Sequence, residues 1–533
     1  MVKPKKLAWI VGGLSTPWLS LPLLALQTPS PYGEAGIDAL QLHRPPYNLI
    51  GRKIAIGQVE IGRPGVFGLD KAVSQNRTIS PAGVFLRNTS AKSNKDLDPH
   101  AENVASIMIS TDKALPGVAP GARLYAAAVG SLKTGGQPEE CLSAQQVALQ
   151  NGGDVRAINF SFGESFDRDS RSHPLLDGNA LLTQCIDWSA RVHNVLYAIA
   201  GNQGKGGISI PTDNFNGMNV AYTARQQGIF ARVETDNLAG IPGSLGRQLI
   251  GHETDLGSRR AISLVAPGSN IALINMDGNI TPPVSGTSFA APQVTATVAL
   301  LQEFGDRQMR THQPYWSLDS RRHEVMKAVL MNSADKIKDL GDGLELGMTK
   351  TIIDKNDSDW LASDAYQNPK IPLDAQMGAG QLNAFRAYQQ FDGGEWVPDA
   401  AVPAIGWDYR SVKAKSSSDY VLAKPLQQGG FVSITLAWDR LVELNGPNKN
   451  GQFAIGDSFR DRGLNHLDLY LLPAQSRDSA GSTCASSSDV DSVQHIFCRI
   501  PKTGNYKIRV QFRQQVNEAT QRYALAWWTV PAR

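Results

Sequence analysis

The run Pro283-Val-Ser-Gly286-Thr287-Ser288-Phe289-Ala290-Ala291-Pro292, continued by Val294, Ala296, Val298, Leu300 and Leu301, constrains this chain more than any other stretch. Small residues around a serine, then Ala-Ala-Pro opening an apolar helix, put Ser288 at a helix N-terminus. Unpaired backbone N–H groups and the positive end of the helix dipole gather there, and both favour negative charge developing on a nearby oxygen. Ser288 is therefore a candidate nucleophile. Taken alone, it reads as readily as an ordinary Ser/Thr helix cap.

Its neighbours change the weighting. Gly286-Thr287-Ser288-Phe289-Ala290-Ala291-Pro292 resembles the catalytic-serine motif of the subtilisin-like serine proteases, the subtilases, and further segments resemble that family in the family's own order. The stretch Gly51 to Gly62 reads as a short buried strand ending in a carboxylate and a glycine turn. The resemblance puts the triad acid at that strand end, where the family usually has Asp and this chain has Glu60. Asp98-Pro99-His100-Ala101-Glu102-Asn103-Val104-Ala105 resembles the histidine motif, with Glu102 and Asn103 as departures, and implies that His100 is the general base at the start of a helix. Pro116 to Val129 resembles a family turn and strand, and the short link Ser110 to Leu115 implies that a calcium loop common there is missing. Val155 to Gly163 resembles the strand whose edge pairs with substrate backbone, a role carried over to Ser161, Phe162 and Gly163. Ala200-Gly201-Asn202 resembles the strand end that places an Asn amide in the oxyanion hole, so Asn202 is the expected donor beside the Ser288 N–H.

Ile210-Pro211 falls where the family tends to have a cis peptide shaping the substrate pocket, and Ala266-Pro267-Gly268 resembles another family turn. By the same resemblance Ser209 lies near the floor of the main specificity pocket, which implies a preference for uncharged, apolar residues before the cut. Met377-Gly378-Ala379-Gly380-Gln381-Leu382-Asn383-Ala384 resembles the closing family element, after a predicted helix over His323 to Ser333. Glu60, His100 and Ser288 follow the acid, base, nucleophile order of subtilisin rather than that of chymotrypsin or the α/β-hydrolases. The fold implied is α/β with a mostly parallel sheet flanked by helices.

With 533 residues, 41% of them hydrophobic, the chain can bury one large core and at least one smaller one. A formal charge of +3 is too small to argue for a nucleic-acid partner. Lys3, Lys5 and Lys6 followed by an apolar run to Leu26 read as a secretion signal, residues 1–27; an uncleaved anchor and a cytoplasmic chain with an odd leader are the alternatives. The expected location is secreted or periplasmic, with no stable membrane partner once the signal is removed. Cys484 and Cys498, close together in a β-rich segment, are expected to pair, which leaves Cys141, ahead of one predicted helix, and Cys185, within another. No Cys/His cluster suggests zinc, and the Asp354 to Asp359 run has only the start of an EF-hand spacing. No cofactor is expected, with calcium as the alternative.

The catalytic domain is expected over residues 28–392. Beyond a Gly/Pro-containing linker, Val432 to Trp438, Leu467 to Leu471 and Tyr506 to Phe512 alternate apolar with mostly polar side chains, predicting an antiparallel β-sandwich over residues 393–533. The stretch ahead of the first strand is too short for the usual folded prodomain. The function implied is a serine endopeptidase acting on proteins or peptides. Two rivals stand beside it: a catalytically impaired binding protein on the same fold, suggested by Glu60 and the altered histidine motif, and a non-peptidase hydrolase using the same triad.

Overall fold

The computed structural model describes residues 30–130, 136–164, 168–201, 210–226, 228–232, 259–446 and 451–532. The expected leader over residues 1–27 lies outside the described residues, as do Asn202 and Ser209.

Strands and helices alternate through the first part of the chain, as a parallel sheet requires. Its strands are β1 (Ala55–Glu60), β2 (Gly83–Leu86), β3 (Thr89–Ser90), β4 (Arg123–Ala128), β5 (Val155–Phe160), β6 (Leu196–Ala200), β7 (Met218–Gln226), β8 (Ile229–Arg232), β9 (Leu264–Pro267) and β10 (Ile352–Ile353). They form one ten-stranded sheet in the order β10-β8-β7-β6-β5-β1-β4-β2-β3, with β9 beside β7. Neighbours run parallel except β7 with β8 and β2 with β3. β1 is central and every one of its residues is buried, Gln58 and Glu60 included, as in a parallel strand covered on both faces.

The helix Ala291–Arg310 is buried from Ala291 through Gly305, so it is enclosed on its whole circumference, with Gln293, Thr295 and Thr297 buried beside the apolar residues. It packs with the His100 helix (Pro99–Ile109) in the main core, where Val104, Ala105, Val294 and Val298 are fully buried. Two further helices, Gln137–Ala148 and Leu181–His193, carry Cys141 and Cys185, which are joined in a disulfide. Cys141 therefore lies inside its helix rather than ahead of it. Gly136 at the cap and Pro138 in the first turn start that helix earlier than expected.

The C-terminal part is a sandwich of two four-stranded antiparallel sheets. Ile405–Lys413, Thr520–Thr529, Phe431–Ala437 and Val493–Arg499 make one; Ser417–Val421, Tyr506–Gln514, His466–Pro473 and Cys484–Ser486 make the other. The three strands read from the sequence are all present, and Cys484 pairs with Cys498. The alternation in Phe431–Ala437 has a different cause from the one expected, because all seven residues are buried. Ile434 and Leu436 face the sandwich core, while Ser433 and Thr435 hydrogen-bond Asn332 at the end of the helix His323–Asn332. The sandwich thus lies directly against the α/β body, and a single apolar cluster includes Met326, Val329 and Leu330 from one side and Trp407, Ala437 and Ala526 from the other. No helix among the described residues is long and apolar enough to cross a membrane.

Candidate active site

Glu60 is the last residue of β1, and its side chain is 2% exposed. His100 is the second residue of its helix, whose cap Asp98 accepts a hydrogen bond from the His100 backbone N–H at 2.9 Å. The strand end and the helix start meet so that Glu60 Oε2 lies 3.3 Å from His100 Nδ1. Burial opposes the imidazolium, but the Glu60 carboxylate, helped by Asp98, outweighs it and raises the His100 pKa above its ordinary 6.5. For Glu60, burial raises the carboxyl, His100 and the Ser161 backbone N–H pull it down, Asp98 adds repulsion, and the balance is upward.

Ser288 sits in a short 3-10 turn, Thr287–Phe289, at the mouth of the long buried helix. Its Oγ donates to the Ser161 carbonyl at 3.1 Å, and the Ser161 Oγ donates back to the Ser288 carbonyl at 3.0 Å. The His100 ring lies 5.7 Å, centroid to centroid, from Phe289, the residue after the serine. The turn is held from below by Gly268, just past β9: Gly286 N–H donates to its carbonyl at 2.7 Å, and a Cβ on Gly268 would come within 2.6 Å of the Gly286 oxygen. No larger residue fits there without moving the serine turn.

Two aspartates that could compete with Glu60 for the imidazole, Asp70 and Asp98, are committed elsewhere. Asp70 is fully buried and takes a bidentate pair from Arg63, at 2.7 and 2.8 Å. Burial would raise its carboxyl, but Arg63 and the Val66 and Asn94 backbone amides hold it below the usual carboxylate range. Asp98 caps the histidine helix. One role in this neighbourhood was not legible in the sequence: Glu102, two residues past His100 and read there only as a departure from the histidine motif, accepts from Gly65 N–H at 2.6 Å and from Asn76 Nδ2 at 2.9 Å. Burial pushes its carboxyl up to about 7. It ties the loop after β1 to the histidine helix, and because its partners lie 26 and 37 residues away no local pattern announces it.

On the substrate side, Ser161, Phe162 and Gly163 follow the end of β5. Ser161 is turned to Ser288 through both its hydroxyl and its carbonyl, whereas Phe162 is buried and stacks on Phe160 at 5.2 Å. Beyond Gly163, Glu164 exchanges both backbone hydrogen bonds with Ile210, which precedes Pro211 across a cis peptide. β6 ends at Ala200, so it leads directly to Asn202, which itself is not described.

The sequence model of the subtilase family matches residues 67–352, more than half of the chain and a span holding His100 and Ser288 but not Glu60. Subtilisin Savinase of Lederbergia lenta is 23% identical over 288 residues, which cover 53% of this chain and 89% of that protein. Subtilisin DY of Bacillus licheniformis is 26% identical over 212 residues, covering 39% and 65%. Among solved structures, the prenylagaramide maturation protease PagA is 20% identical, covers 63% of this chain and 93% of its own, and superposes with a TM-score of 0.40. The MycP3 protease of the type VII (ESX-3) secretion system is 15% identical, covering 67% and 88%, with a TM-score of 0.41. The parallel sheet, the order of the motifs and the matched span together make this chain a member of the subtilase family, the subtilisin-like serine peptidases.

Proposed function

We propose that the protein is an exported endopeptidase that cuts peptide bonds with Ser288 as nucleophile, His100 as general base and Glu60 as the orienting acid. The Glu60–His100 contact carries this reading: a buried carboxylate at a strand end faces Nδ1 at 3.3 Å, which leaves Nε2 as the nitrogen turned toward incoming protons. In the resting arrangement the Ser288 hydroxyl points to the Ser161 carbonyl. Rotation about its side-chain bond turns Oγ to His100 Nε2, which takes the proton as Oγ attacks the scissile carbonyl. The C–O bond forms, the carbonyl π electrons move to oxygen, and the Asn202 amide and the Ser288 N–H receive the oxyanion. His100 then returns the proton to the leaving amine, the C–N bond breaks, and water repeats the sequence on the acyl enzyme.

Phe162 and Gly163 offer backbone to an extended substrate, and Ser209, which the family resemblance assigns to the pocket, favours uncharged, apolar residues before the cut. The basic-then-apolar leader and two disulfides support export. The mechanism uses no cofactor. Residues 28–392 supply the chemistry, and the sandwich over 393–533 supports them. Hydrolysis of casein and of short peptides by the wild type, compared with Ser288→Ala, tests the proposal. The expected result is turnover abolished by the substitution, and a peptide profile dominated by Arg or Lys before the cut would remove the specificity reading. A correctly folded wild type with no turnover on any protein or peptide would leave the binding-protein alternative.

A further inference from the structure

Glu60, His100 and Ser288 stand on three separate segments, and one buried carboxylate that the proposed mechanism does not use links all three. Glu102 lies two residues past His100 on the histidine helix and is fully buried. Its Oε2 accepts from the N–H of Gly65, five residues past Glu60, at 2.6 Å. Only glycine fits at that approach, because a Cβ on Gly65 would come within 2.5 Å of the Ser74 Cβ. Its Oε1 accepts from Asn76 Nδ2 at 2.9 Å, and the same nitrogen donates to the Ile274 carbonyl at 3.4 Å. Ile274 belongs to the hairpin closed by Ile271 and Val284, which runs into the serine turn. Ser106, one turn further along the histidine helix, donates to the same carbonyl at 3.2 Å.

Both Glu102 oxygens thus face donors, and neither donor can turn around. Gly65 offers a backbone N–H, and the Asn76 amide is fixed by Thr78, whose N–H and hydroxyl donate to Asn76 Oδ1 at 2.9 and 2.7 Å. A carboxylate satisfies this arrangement, whereas a protonated carboxyl sets an O–H against an N–H and gives up one of the two ties. A buried charge is costly, so packing alone gives no reason for a carboxylate where an uncharged side chain would serve. Burial pushes the carboxyl up to about 7; Asp70 adds to the shift, and the Gly65 N–H, the Asn76 amide and Arg63 oppose it. Asp98 and His100 stand at the start of its own helix. We propose that Glu102 is a positioning residue: as a carboxylate it holds the histidine helix in register with the end of β1 and with the hairpin ahead of Ser288, and it slackens that alignment on taking a proton. The inference rests on the peptidase reading above and gives that site a second acid-side control. The carboxylate form prevails above about 7 and is lost as pH falls through it, so its protonation and that of His100 lower activity in the same direction.

The test is the pH profile of kcat/KM on a short peptide, with kcat and KM separated, for the full chain and for Glu102→Gln. In the wild type the acid limb of the logarithmic plot should approach a slope of two, one proton for His100 and one for Glu102. Glu102→Gln should show a slope of one, with kcat on the alkaline plateau lowered about tenfold to a hundredfold and KM changed little. If Glu102→Gln does not fold, Asn76→Ala takes its place: it removes a donor that favours the charged carboxyl, so the second inflection should move to higher pH. A wild-type slope of one overturns the inference. So does a Glu102→Gln that keeps the wild-type slope, whether or not its kcat falls, because a loss of kcat alone marks a merely structural residue. A folded wild type with no turnover defeats the peptidase reading instead, and the His100 ring resonance, assigned with His100→Gln, then decides. Two inflections in the wild type against one in Glu102→Gln support the coupling of Glu102 to His100, and the same single inflection in both overturns it.

Discussion

Glu60 decides how this site works at the scale of single residues. Glutamate is one methylene longer than the aspartate usual in the family, yet the end of β1 places its Oε2 within 3.3 Å of His100 Nδ1. Glu60→Gln should lower kcat by about 10³–10⁴, because the amide no longer holds the productive imidazole tautomer. Glu60→Asp should retain more activity but not all, since the shorter side chain loses reach. Turnover within a few-fold of wild type in Glu60→Gln, together with its loss in Asp70→Asn or Asp98→Asn, would move the triad to that aspartate. Asp70 is engaged by Arg63, so its substitution should lower stability rather than chemistry. A second expectation concerns pH. The base must be neutral, and its folded-state pKa is raised above 6.5, so activity is present above that raised pKa and is lost as pH falls through it. The acidic midpoint of kcat/KM should therefore lie above 6.5, and it should move down in Asp98→Asn, because Asp98 contributes to the upward shift.

At the scale of elements, the histidine helix depends on its cap. Asp98→Ala should cost about 1 kcal/mol, read as a lower unfolding midpoint, whereas Asp98→Asn keeps a capping oxygen and should cost less. The Cys484–Cys498 disulfide closes a loop of 14 residues, and replacing both cysteines by serine should cost about 3 kcal/mol on chain-entropy grounds. The strands and helices that carry Glu60, His100 and Ser288 were legible because each joins a special residue to a strong periodic or capping signal. Less legible was what holds them. The Asn383 side chain, in the closing Gly-x-Gly-x-x-Asn element, caps Arg386 and also donates to Asp38 and Asp335 at 2.9 Å, contacts spanning up to 345 residues. Gly380 in the same element has φ 127°, and a Cβ there would meet the Asp335 carbonyl at 2.4 Å, which accounts for glycine without reference to any motif.

For the whole molecule, the sandwich and the α/β body should behave as one unit. Arg440, next to Asp439, donates to Asp187 at 3.0 Å and to the Gly178 carbonyl at 2.7 Å and lies over Phe215, all in the other half. Arg440→Met leaves the buried Asp187 charge uncompensated and should cost about 3–5 kcal/mol, while Arg440→Met with Asp187→Leu should recover part of the loss. Calorimetry should show a single endotherm in which both halves melt together, and two well-separated transitions would contradict the shared core. The sequence pattern announced the sandwich but not its attachment: Ser433 and Thr435 read as solvent-facing polar positions, and only their contact with Asn332 reveals a second buried face. Short polar side chains serve both situations, so period-two alternation cannot separate them.

Labelling with a fluorophosphonate followed by peptide mapping reports directly on whether the chain carries an activated serine. One adduct per chain is expected, on Ser288, absent in Ser288→Ala and formed far more slowly in His100→Ala. A folded wild type that takes no label, or that takes it on another serine, would contradict it.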